Sequence, residues 1–189
     1  MKTIKLSIFA VLMAAFVCHA SANNTIGLYL SQQDYRDHKL SYVTDGTNGT
    51  TVRLHSFFGS YQVVVIQNGK KEYFSKDKIF GYRMDGQDYR YFNHCAYRIV
   101  DTTGFYLYAY YKLEQQGKGP KQVEKYYFSP KASDDIRLLT IDNLQSAFSS
   151  DTRFVYSVKG FFKSDNELTA YDASLKEFKL KHIYGETLR

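Results

Sequence analysis

The sequence predicts an α+β fold in which an antiparallel β meander, barrel-like or sandwich-like, is followed by two or three C-terminal helices. Between residues 25 and 129, short runs rich in aromatic and β-branched residues alternate with turn residues, a pattern typical of a meander. The chain contains 18 tyrosines and 14 phenylalanines but no tryptophan, and both residue types favour half-buried strand positions. Within residues 139–185 the apolar spacing becomes helical. Strands followed by helices are typical of the α+β class.

The first 22 residues have the three parts of a cleavable export signal. Two lysines precede an apolar stretch at residues 8–17, and Ala-Ser-Ala at residues 20–22 supplies the small side chains that a signal peptidase requires. The apolar stretch is too short for a lasting membrane anchor, which needs about 20 residues. The alternative is a lipoprotein signal, because Cys18 lies late in this segment. Such signals favour a small residue directly before the cysteine, where this chain has Val17.

Removing residues 1–22 from the 189-residue chain leaves 167 residues, 23–189, which is the size of a single globular domain. The signal takes two lysines with it, so the net charge falls from +6 to +4, and the remaining charges are spread along the chain. Nucleic-acid-binding proteins concentrate basic charge on one face, so nucleic acid is excluded as a partner. No later segment is apolar for long enough to span a membrane. We therefore expect an exported protein in the periplasm, at the cell surface or outside the cell.

The β-rich part, residues 25–129, is expected to contain ten strands. Asn-Gly at residues 68–69 and Asp-Gly at residues 85–86 each separate two strand-like runs, which is the strongest local signal for a β-hairpin. The expected strands cover residues 26–30, 39–43, 52–56, 61–67, 71–74, 79–84, 89–93, 96–100, 105–113 and 123–129.

The helical part, residues 139–185, carries apolar residues at helical spacing. Thr140 is a good N-cap for a helix that reaches Phe148, and the segment 154–162 has the spacing of a second helix. Residues 164–167 match a capping box, which would satisfy two free backbone N–H groups at the start of a third helix. The apolar stripe of this third helix would consist of Leu168, Tyr171, Leu175 and Phe178.

Cys95 is the one cysteine that remains after the signal is removed, so no internal disulfide is expected. In an oxidising compartment such a thiol is either buried and inert or paired with another chain, and its aromatic neighbours favour burial. His94 precedes it, and a Cys–His pair can activate a thiolate. Neighbouring residues in a strand point to opposite faces, so these two side chains are not expected to meet.

No metal or cofactor site is expected. The histidines of the mature chain are far apart in sequence, and no metal-binding motif accompanies them. The loop at residues 45–50 has oxygen ligands for a weakly bound calcium ion but lacks an acidic residue at its far end, so a plain turn is expected. The histidines are His38, His55, His94 and His182.

A Tyr-Arg dipeptide occurs on three successive expected strands, and its arginines are Arg83, Arg90 and Arg98. Alternation sends each tyrosine to one face and each arginine to the other. If the strands pair in register, the three guanidinium groups form a row that can grip an acidic ligand. The alternative is a solvated face on which these arginines pair with nearby acidic residues, for which Asp85, Asp88 and Glu72 are available.

The strand at residues 105–113 carries aromatic side chains on both faces. Phe105 and Tyr111 share one face, and Tyr106, Tyr108 and Tyr110 share the other. One face is expected to belong to the core. The other is either a stacking platform or docking surface, or is covered by the C-terminal helices.

Several motifs occur in an order that resembles a family of small exported proteins of unknown function associated with Bacteroidota. They include Ile79-Phe80-Gly81-Tyr82-Arg83, then Tyr127-Phe128-Ser129, then Leu139-Thr140 with Asn143-Leu144 and Ala147-Phe148, and finally Leu168 with Tyr171-Asp172. The resemblance covers most of the mature chain and implies a bacterial envelope setting. It implies no activity, cofactor or binding residue.

The expected function is that of an exported, non-catalytic binding or interaction protein of the cell envelope, because no catalytic signature accompanies the aromatic and arginine-bearing strands. Its partner would be an envelope protein, a glycan or an acidic ligand. The alternative is a hydrolase of an envelope or extracellular polymer, with catalytic carboxylates supplied by different strands. Asp85, Asp88 and Asp101 lie near strand ends, where such carboxylates could converge.

Overall fold

A computed structural model describes residues 25–44, 48–55, 60–117 and 119–189 of the chain. The expected signal peptide lies outside these residues, and so does the first half of the loop at residues 45–50. The α+β architecture is confirmed: mostly antiparallel strands precede the C-terminal helices, and the arrangement is sandwich-like rather than barrel-like.

Each of the ten expected strands has a counterpart in the structure, and three short strands follow them. The strands are β1 (Ile26–Tyr29), β2 (Ser41–Thr44), β3 (Thr51–Arg53), β4 (Gln62–Gln67), β5 (Lys70–Ser75), β6 (Gly81–Met84), β7 (Gln87–Phe92), β8 (Cys95–Asp101), β9 (Tyr106–Gln116), β10 (Gly119–Ser129), β11 (Arg137–Leu138), β12 (Tyr171–Asp172) and β13 (Glu177–Phe178). The helices are α1 (Gln32–Arg36), α2 (Ile141–Ala147), α3 (Thr152–Phe161) and α4 (Lys179–Thr187), with a 3₁₀ helix at Asp165–Thr169.

The largest element is an antiparallel sheet of eight strands in the order β11-β10-β9-β8-β7-β6-β1-β2. From β6 to β11 each strand lies beside the next one in sequence, as a meander requires. Strands β3, β4 and β5 form a separate three-stranded sheet, and β12 pairs with β13.

Both expected two-residue hairpin turns are confirmed. Asn68 and Gly69 have φ angles of 51° and 77°, and Asp85 and Gly86 have φ angles of 50° and 77°. Two successive residues with positive φ match the twist of the flanking strands, which is why Asn-Gly and Asp-Gly favour this turn.

The three-stranded sheet and the C-terminal helices both pack on the same face of the large sheet. Near β1, Leu28 and Tyr82 form a core with valines of the three-stranded sheet. Near β10, Leu107 and Phe128 form a second core with the C-terminal helices. The register places Arg98 opposite both Tyr89 and Ala109, which connects these two groups across one face. We call this the covered face and the reverse side the tyrosine face.

The tyrosine face is partly covered by α1, a helix that the sequence analysis did not predict. Ser31 and Asp34 form a capping box at its start, with the Asp34 N–H donating to Ser31 Oγ over 3.0 Å. Tyr35 is buried and stacks on Phe80 with ring centroids 4.7 Å apart. Ala132, in the loop after β10, packs into the same cluster.

The C-terminal helices differ in part from expectation. Thr140 caps α2, where its hydroxyl accepts a bond of 3.1 Å from the Asn143 N–H. The expected capping box at residues 164–167 is wrong, because the Ser164 side chain makes no capping bond and only a 3₁₀ turn follows. The chain then forms the β12–β13 hairpin, in which Lys176 has a φ of 56°, and α4 begins at Lys179.

No helix among the described residues is both long and apolar enough to cross a membrane.

Candidate functional site

The ladder between β8 and β9 is shorter than the two strands themselves. The two strands are paired only where Arg98 to Asp101 of β8 lie opposite Leu107 to Ala109 of β9. The first residues of β8 pair with β7 alone, and the second half of β9 pairs with β10 alone. Backbone pairing between β8 and β9 therefore ends at Arg98, and side chains of both strands line an opening beside this point.

A cleft of about 410 Å³ occupies this opening. We call it the sheet cleft. Aromatic rings form much of its wall, and an ammonium, an imidazole and a thiol are placed among them. A volume of this size with a few polar groups on an aromatic wall is typical of small-ligand sites. The lining residues are Lys76, Tyr82, His94, Cys95, Ala96, Tyr110 and Tyr111.

Lys76 directly follows β5 and is only 4% exposed. Its backbone N–H donates to the carbonyl of Tyr61 over 2.9 Å, which fixes its position against the three-stranded sheet. Its Nζ donates one long bond of 3.5 Å to the carbonyl oxygen of His55 and lies 5.6 Å from the centroid of the Tyr91 ring. Burial lowers the pKa of this ammonium, and the nearby Cys95 offsets part of that effect.

His94 lies in the turn between β7 and β8 rather than in a strand. Its φ is 62°, and the preceding Asn93 has a φ of 46°. Its Nδ1 lies 3.1 Å from a carboxylate oxygen of Asp77, but the contact lacks hydrogen-bond geometry, so this nitrogen has no hydrogen-bond partner among the described residues. The Tyr61 ring packs edge-on against the imidazole at 4.3 Å.

Cys95 is half-buried, so the expectation of complete burial is wrong. Burial raises the pKa of Tyr110, and the nearby Cys95 thiol raises it further. His94 and Cys95 both line the sheet cleft, but no hydrogen bond among the described residues joins their side chains. Alternation does not apply to them because His94 belongs to a turn.

Aromatic rings on the tyrosine face continue from the sheet cleft. The Tyr97 ring lies 5.1 Å from the Tyr110 ring and 5.0 Å from the Tyr127 ring, and Phe92 lies 6.4 Å away on its other side. All four side chains are partly exposed. These ring contacts join Tyr110 of the cleft wall to the neighbouring aromatic side chains of the tyrosine face.

As expected, the aromatic side chains of β9 and of Phe105 before it are divided between the two faces of the sheet. Phe105 lies in the core beneath the C-terminal helices, whereas Tyr106, Tyr108 and Tyr110 lie on the tyrosine face. The helices cover the Phe105 face. Tyr111 shares that face but is 53% exposed, because it lies beyond the helices in the second half of β9.

The expected row of arginines does not form. The hairpin turn at Asp85 and Gly86 sets a register in which Arg83 lies opposite Asp88 and Arg90 lies opposite Gly81. The next hairpin places Arg98 opposite Tyr89, on the covered face. Arg83 and Arg90 therefore lie on the tyrosine face and Arg98 on the other.

Each arginine has partners of its own. Arg83 pairs with Asp88 at 3.3 Å, which matches the alternative of a solvated ion pair. Arg98 donates to Glu124 over 2.8 Å. Burial alone would raise the pKa of Glu124, but hydrogen bonds from Arg98, Tyr111 and Tyr126 outweigh it and hold the pKa below its usual value.

The carboxylates considered for hydrolysis are also engaged. Asp88 accepts a hydrogen bond of 2.8 Å from the Tyr29 phenol in addition to its pairing with arginine. Asp101 accepts from the Thr103 N–H over 2.7 Å and lies 3.6 Å from Lys181. Asp85 is exposed in its hairpin turn.

A larger hollow of about 510 Å³ lies beside β10 and β11, and its acidic groups already have partners. Glu124 is held by Arg98 and the Tyr126 phenol, and Asp165 accepts from the Ile141 N–H over 2.8 Å. The sheet cleft differs because a buried ammonium and an imidazole nitrogen there are poorly satisfied. It is the better candidate for a ligand site.

Within the described ranges, no group of three or more potential metal-ligating side chains comes together. Comparison of the chain with protein-family models, with curated proteins and with solved structures finds no match.

Lys76 is a residue of the candidate site that the sequence does not indicate. Lys76 follows an ordinary edge strand, and no motif marks it. It reaches the cleft because the three-stranded sheet packs across the large one. His94 and Cys95 were considered together, but a strand was assumed where the chain forms a turn. An Asn-His pair before a β-rich run is the signal that could have indicated this turn.

Proposed function

We propose that this protein is an exported, non-catalytic binding protein of the cell envelope that holds a small ligand in the sheet cleft. The observation that carries the proposal is the cleft beside the point where backbone pairing between β8 and β9 ends, because residues of both strands line it. Sheets are ordinarily closed along their length because backbone groups pair. A cleft at the end of such pairing, lined by aromatic, cationic and thiol side chains, is therefore a feature that ligand binding can explain.

The polar groups of the sheet cleft support this proposal. Buried polar atoms in proteins almost always have hydrogen-bond partners. The Lys76 ammonium has one long bond, and His94 Nδ1 has no hydrogen bond within the described part of the chain. A ligand in the cleft would supply acceptors to the Lys76 ammonium.

The alternative of a polymer hydrolase has less support. Hydrolysis by paired carboxylates needs one group that is free to donate a proton and one that is free to attack or to activate water. Asp88 is tied to Arg83 and Tyr29, and Asp101 to Lys181 and a backbone N–H. Neither carboxylate lines the sheet cleft.

A variant that fills the cleft tests the proposal. Ala96 lines the cleft, so Ala96→Phe should occupy the space that a ligand needs. Ala173→Phe adds the same ring at an exposed position in the β12–β13 turn and serves as the matched control.

The measurement is a thermal-shift screen of glycans, acidic small molecules and their neutral analogues against the three proteins. We expect at least one compound to raise the Tm of the wild type and of Ala173→Phe but not that of Ala96→Phe. Circular dichroism first establishes that both variants fold. Compounds that stabilise all three proteins equally would show that the ligand binds elsewhere, and chemical conversion of a compound would contradict a non-catalytic role.

A further inference from the structure

Two lysines of the described residues are 4% exposed, and their surroundings differ. Lys181 of α4 donates to the carbonyl oxygens of Thr103, over 3.0 Å, and of Phe105, and Asp101 lies 3.6 Å away. Burial lowers the pKa of Lys181 to about 8, although Asp101 acts in the opposite direction. Its position is thus explained by the fold, because two carbonyls and a carboxylate surround it.

Lys76 has no comparable set of partners. Within the described part of the chain, the one hydrogen bond of its ammonium is the 3.5 Å contact with the carbonyl oxygen of His55. Among the described residues it forms no ion pair with a carboxylate, and Asp45 is the only acidic residue outside them. A buried ammonium without an anion is unfavourable, because no ion pair replaces its lost hydration. The fold alone therefore does not explain why a lysine stands at this position.

The nearest acidic residue in sequence does not compensate Lys76. Asp77 follows it directly, but the Asp77 carboxylate points to His94 and lies 3.1 Å from Nδ1. This arrangement leaves the Lys76 ammonium as the cationic group on the wall of the cleft whose charge is uncompensated. The same wall carries Tyr82, Tyr110 and Tyr111, whose rings suit an apolar or aromatic ligand body.

We propose that the sheet cleft binds a small organic carboxylate, and that the Lys76 ammonium pairs with its charged group. This inference rests on the proposed function and narrows it to one class of ligand. A single ammonium matches the single charge of a carboxylate, whereas phosphate recognition generally uses several cations or backbone donors. The tyrosine rings hold the rest of the molecule.

Cys95 lines the same cleft and reports on its charge. Iodoacetate and iodoacetamide alkylate the same thiol and have nearly the same size, but only the first is an anion. The ratio of their rates measures the local potential, because any change in the ionisation of the thiol acts on both reagents and cancels. The experiment uses a Cys18→Ser background, in which Cys95 is the only thiol.

We expect the iodoacetate-to-iodoacetamide rate ratio to fall about threefold to tenfold in Lys76→Met, as the loss of one nearby charge predicts. Lys76→Arg keeps the charge and should keep the ratio. Lys76→Gln, which retains a polar head group, gives the same test if the methionine variant does not fold. An unchanged ratio in both neutral variants would overturn the proposal.

Benzoate and benzamide provide the second measurement, since they differ in charge and hardly in shape. We expect benzoate to slow iodoacetamide labelling of Cys95 in the wild type at concentrations where benzamide has no effect, and to lose this protection in Lys76→Met. Equal protection by both probes would overturn the carboxylate inference but leave the binding cleft standing. If neither probe protects Cys95, the inference fails, and the thermal-shift screen alone decides whether the cleft binds another ligand.

Discussion

Arg90 is a buried cation that connects three strands and a loop. Its guanidinium donates to the Tyr108 phenol over 2.9 Å, to Ser129 Oγ over 3.3 Å and to the carbonyl oxygen of Asp134 over 2.8 Å. It also lies within 6.0 Å of the Phe80 and Phe92 ring centroids. These contacts join β7 to β9, β10 and the following loop, so Arg90 has a structural role.

We expect Arg90→Ala to lower the free energy of unfolding by about 2–4 kcal/mol, because it leaves the buried Tyr108 and Ser129 hydroxyls with fewer partners. Arg83→Ala is the control. The Arg83 side chain is 37% exposed, so its pairing with Asp88 is worth less than about 1 kcal/mol. Urea denaturation of the two variants measures the difference. Equal losses would contradict the structural role of Arg90.

The three arginines show what a local sequence pattern cannot predict. Each follows a tyrosine on a strand, and alternation correctly places each Tyr and its neighbouring Arg on opposite faces. Whether the arginines of different strands share a face depends on the register, which the hairpin turns set. Those turns place Arg98 opposite Tyr89 and remove it from the face that Arg83 and Arg90 share.

At the scale of elements, the helix starts at Thr140 and Ser164 provide a direct comparison. Both residues precede segments with helical signals, and only Thr140 makes a capping bond, to the Asn143 N–H. At the second position Glu167 accepts from the Lys163 N–H over 2.9 Å without a reciprocal bond from Ser164. The two hydroxyls therefore differ in their contribution to stability.

Thr140→Ala should lower the free energy of unfolding by about 1 kcal/mol, the usual cost of removing an N-cap hydroxyl. Ser164→Ala should change it by less than about 0.5 kcal/mol, as for an ordinary surface substitution. Thermal or urea unfolding of the two variants makes the comparison. A larger loss for Ser164→Ala than for Thr140→Ala would show that the capping bonds are assigned incorrectly.

The strands could be predicted from the sequence more fully than the helices. Alternating apolar residues and two-residue turns are local signals, and they located all ten strands of the β-rich part. The third expected helix does not form, because Asp165 accepts a hydrogen bond from the Ile141 N–H and Tyr171 pairs with Phe178 in a hairpin. Both contacts depend on tertiary structure. Helix α1 was missed because five residues carry too little periodicity.

At the scale of the whole molecule, the fold buries many phenols. Burial raises the pKa of several tyrosines above the ordinary value, and nearby phenolate or carboxylate charges raise some of them further. The residues are Tyr35, Tyr82, Tyr91, Tyr97 and Tyr108. Their hydroxyls stay protonated in the folded state at a pH where the unfolded chain already ionises.

This difference predicts a loss of stability in alkali. A group whose folded pKa is raised contributes fully below the unfolded pKa, which is about 10 for tyrosine, and the contribution is lost as the pH rises above it. We expect the urea midpoint to fall steeply from about pH 10 upward, together with the appearance of phenolate absorbance. A midpoint that stays constant through this range would contradict the buried state of these phenols.

Tyr91→Phe is the control for this prediction. The Tyr91 hydroxyl is buried and has no hydrogen-bond partner within the described part of the chain. Its removal should leave stability at neutral pH unchanged or slightly higher. The fall in the urea midpoint above about pH 10 should be smaller in the variant, because one raised pKa is absent.

The sheet cleft could not be predicted from the sequence because none of its causes is local. The sequence identified Cys95, His94 and the aromatic strand that contains Tyr110. It did not show that backbone pairing between β8 and β9 ends at Arg98, or that the small sheet brings Lys76 to the cleft. Both facts depend on how distant parts of the chain pack together.

The central claim, that the sheet cleft is a ligand site, is tested most directly by NMR. Backbone amide resonances of isotopically labelled protein would be followed during titration with the compound that raises the Tm most in the screen. The account predicts saturable shifts concentrated at Lys76, Cys95, Ala96 and Tyr110, and their loss in Ala96→Phe. Shifts concentrated instead at the hollow around Asp165 and Asn166, or spread without saturation over the surface, would contradict it.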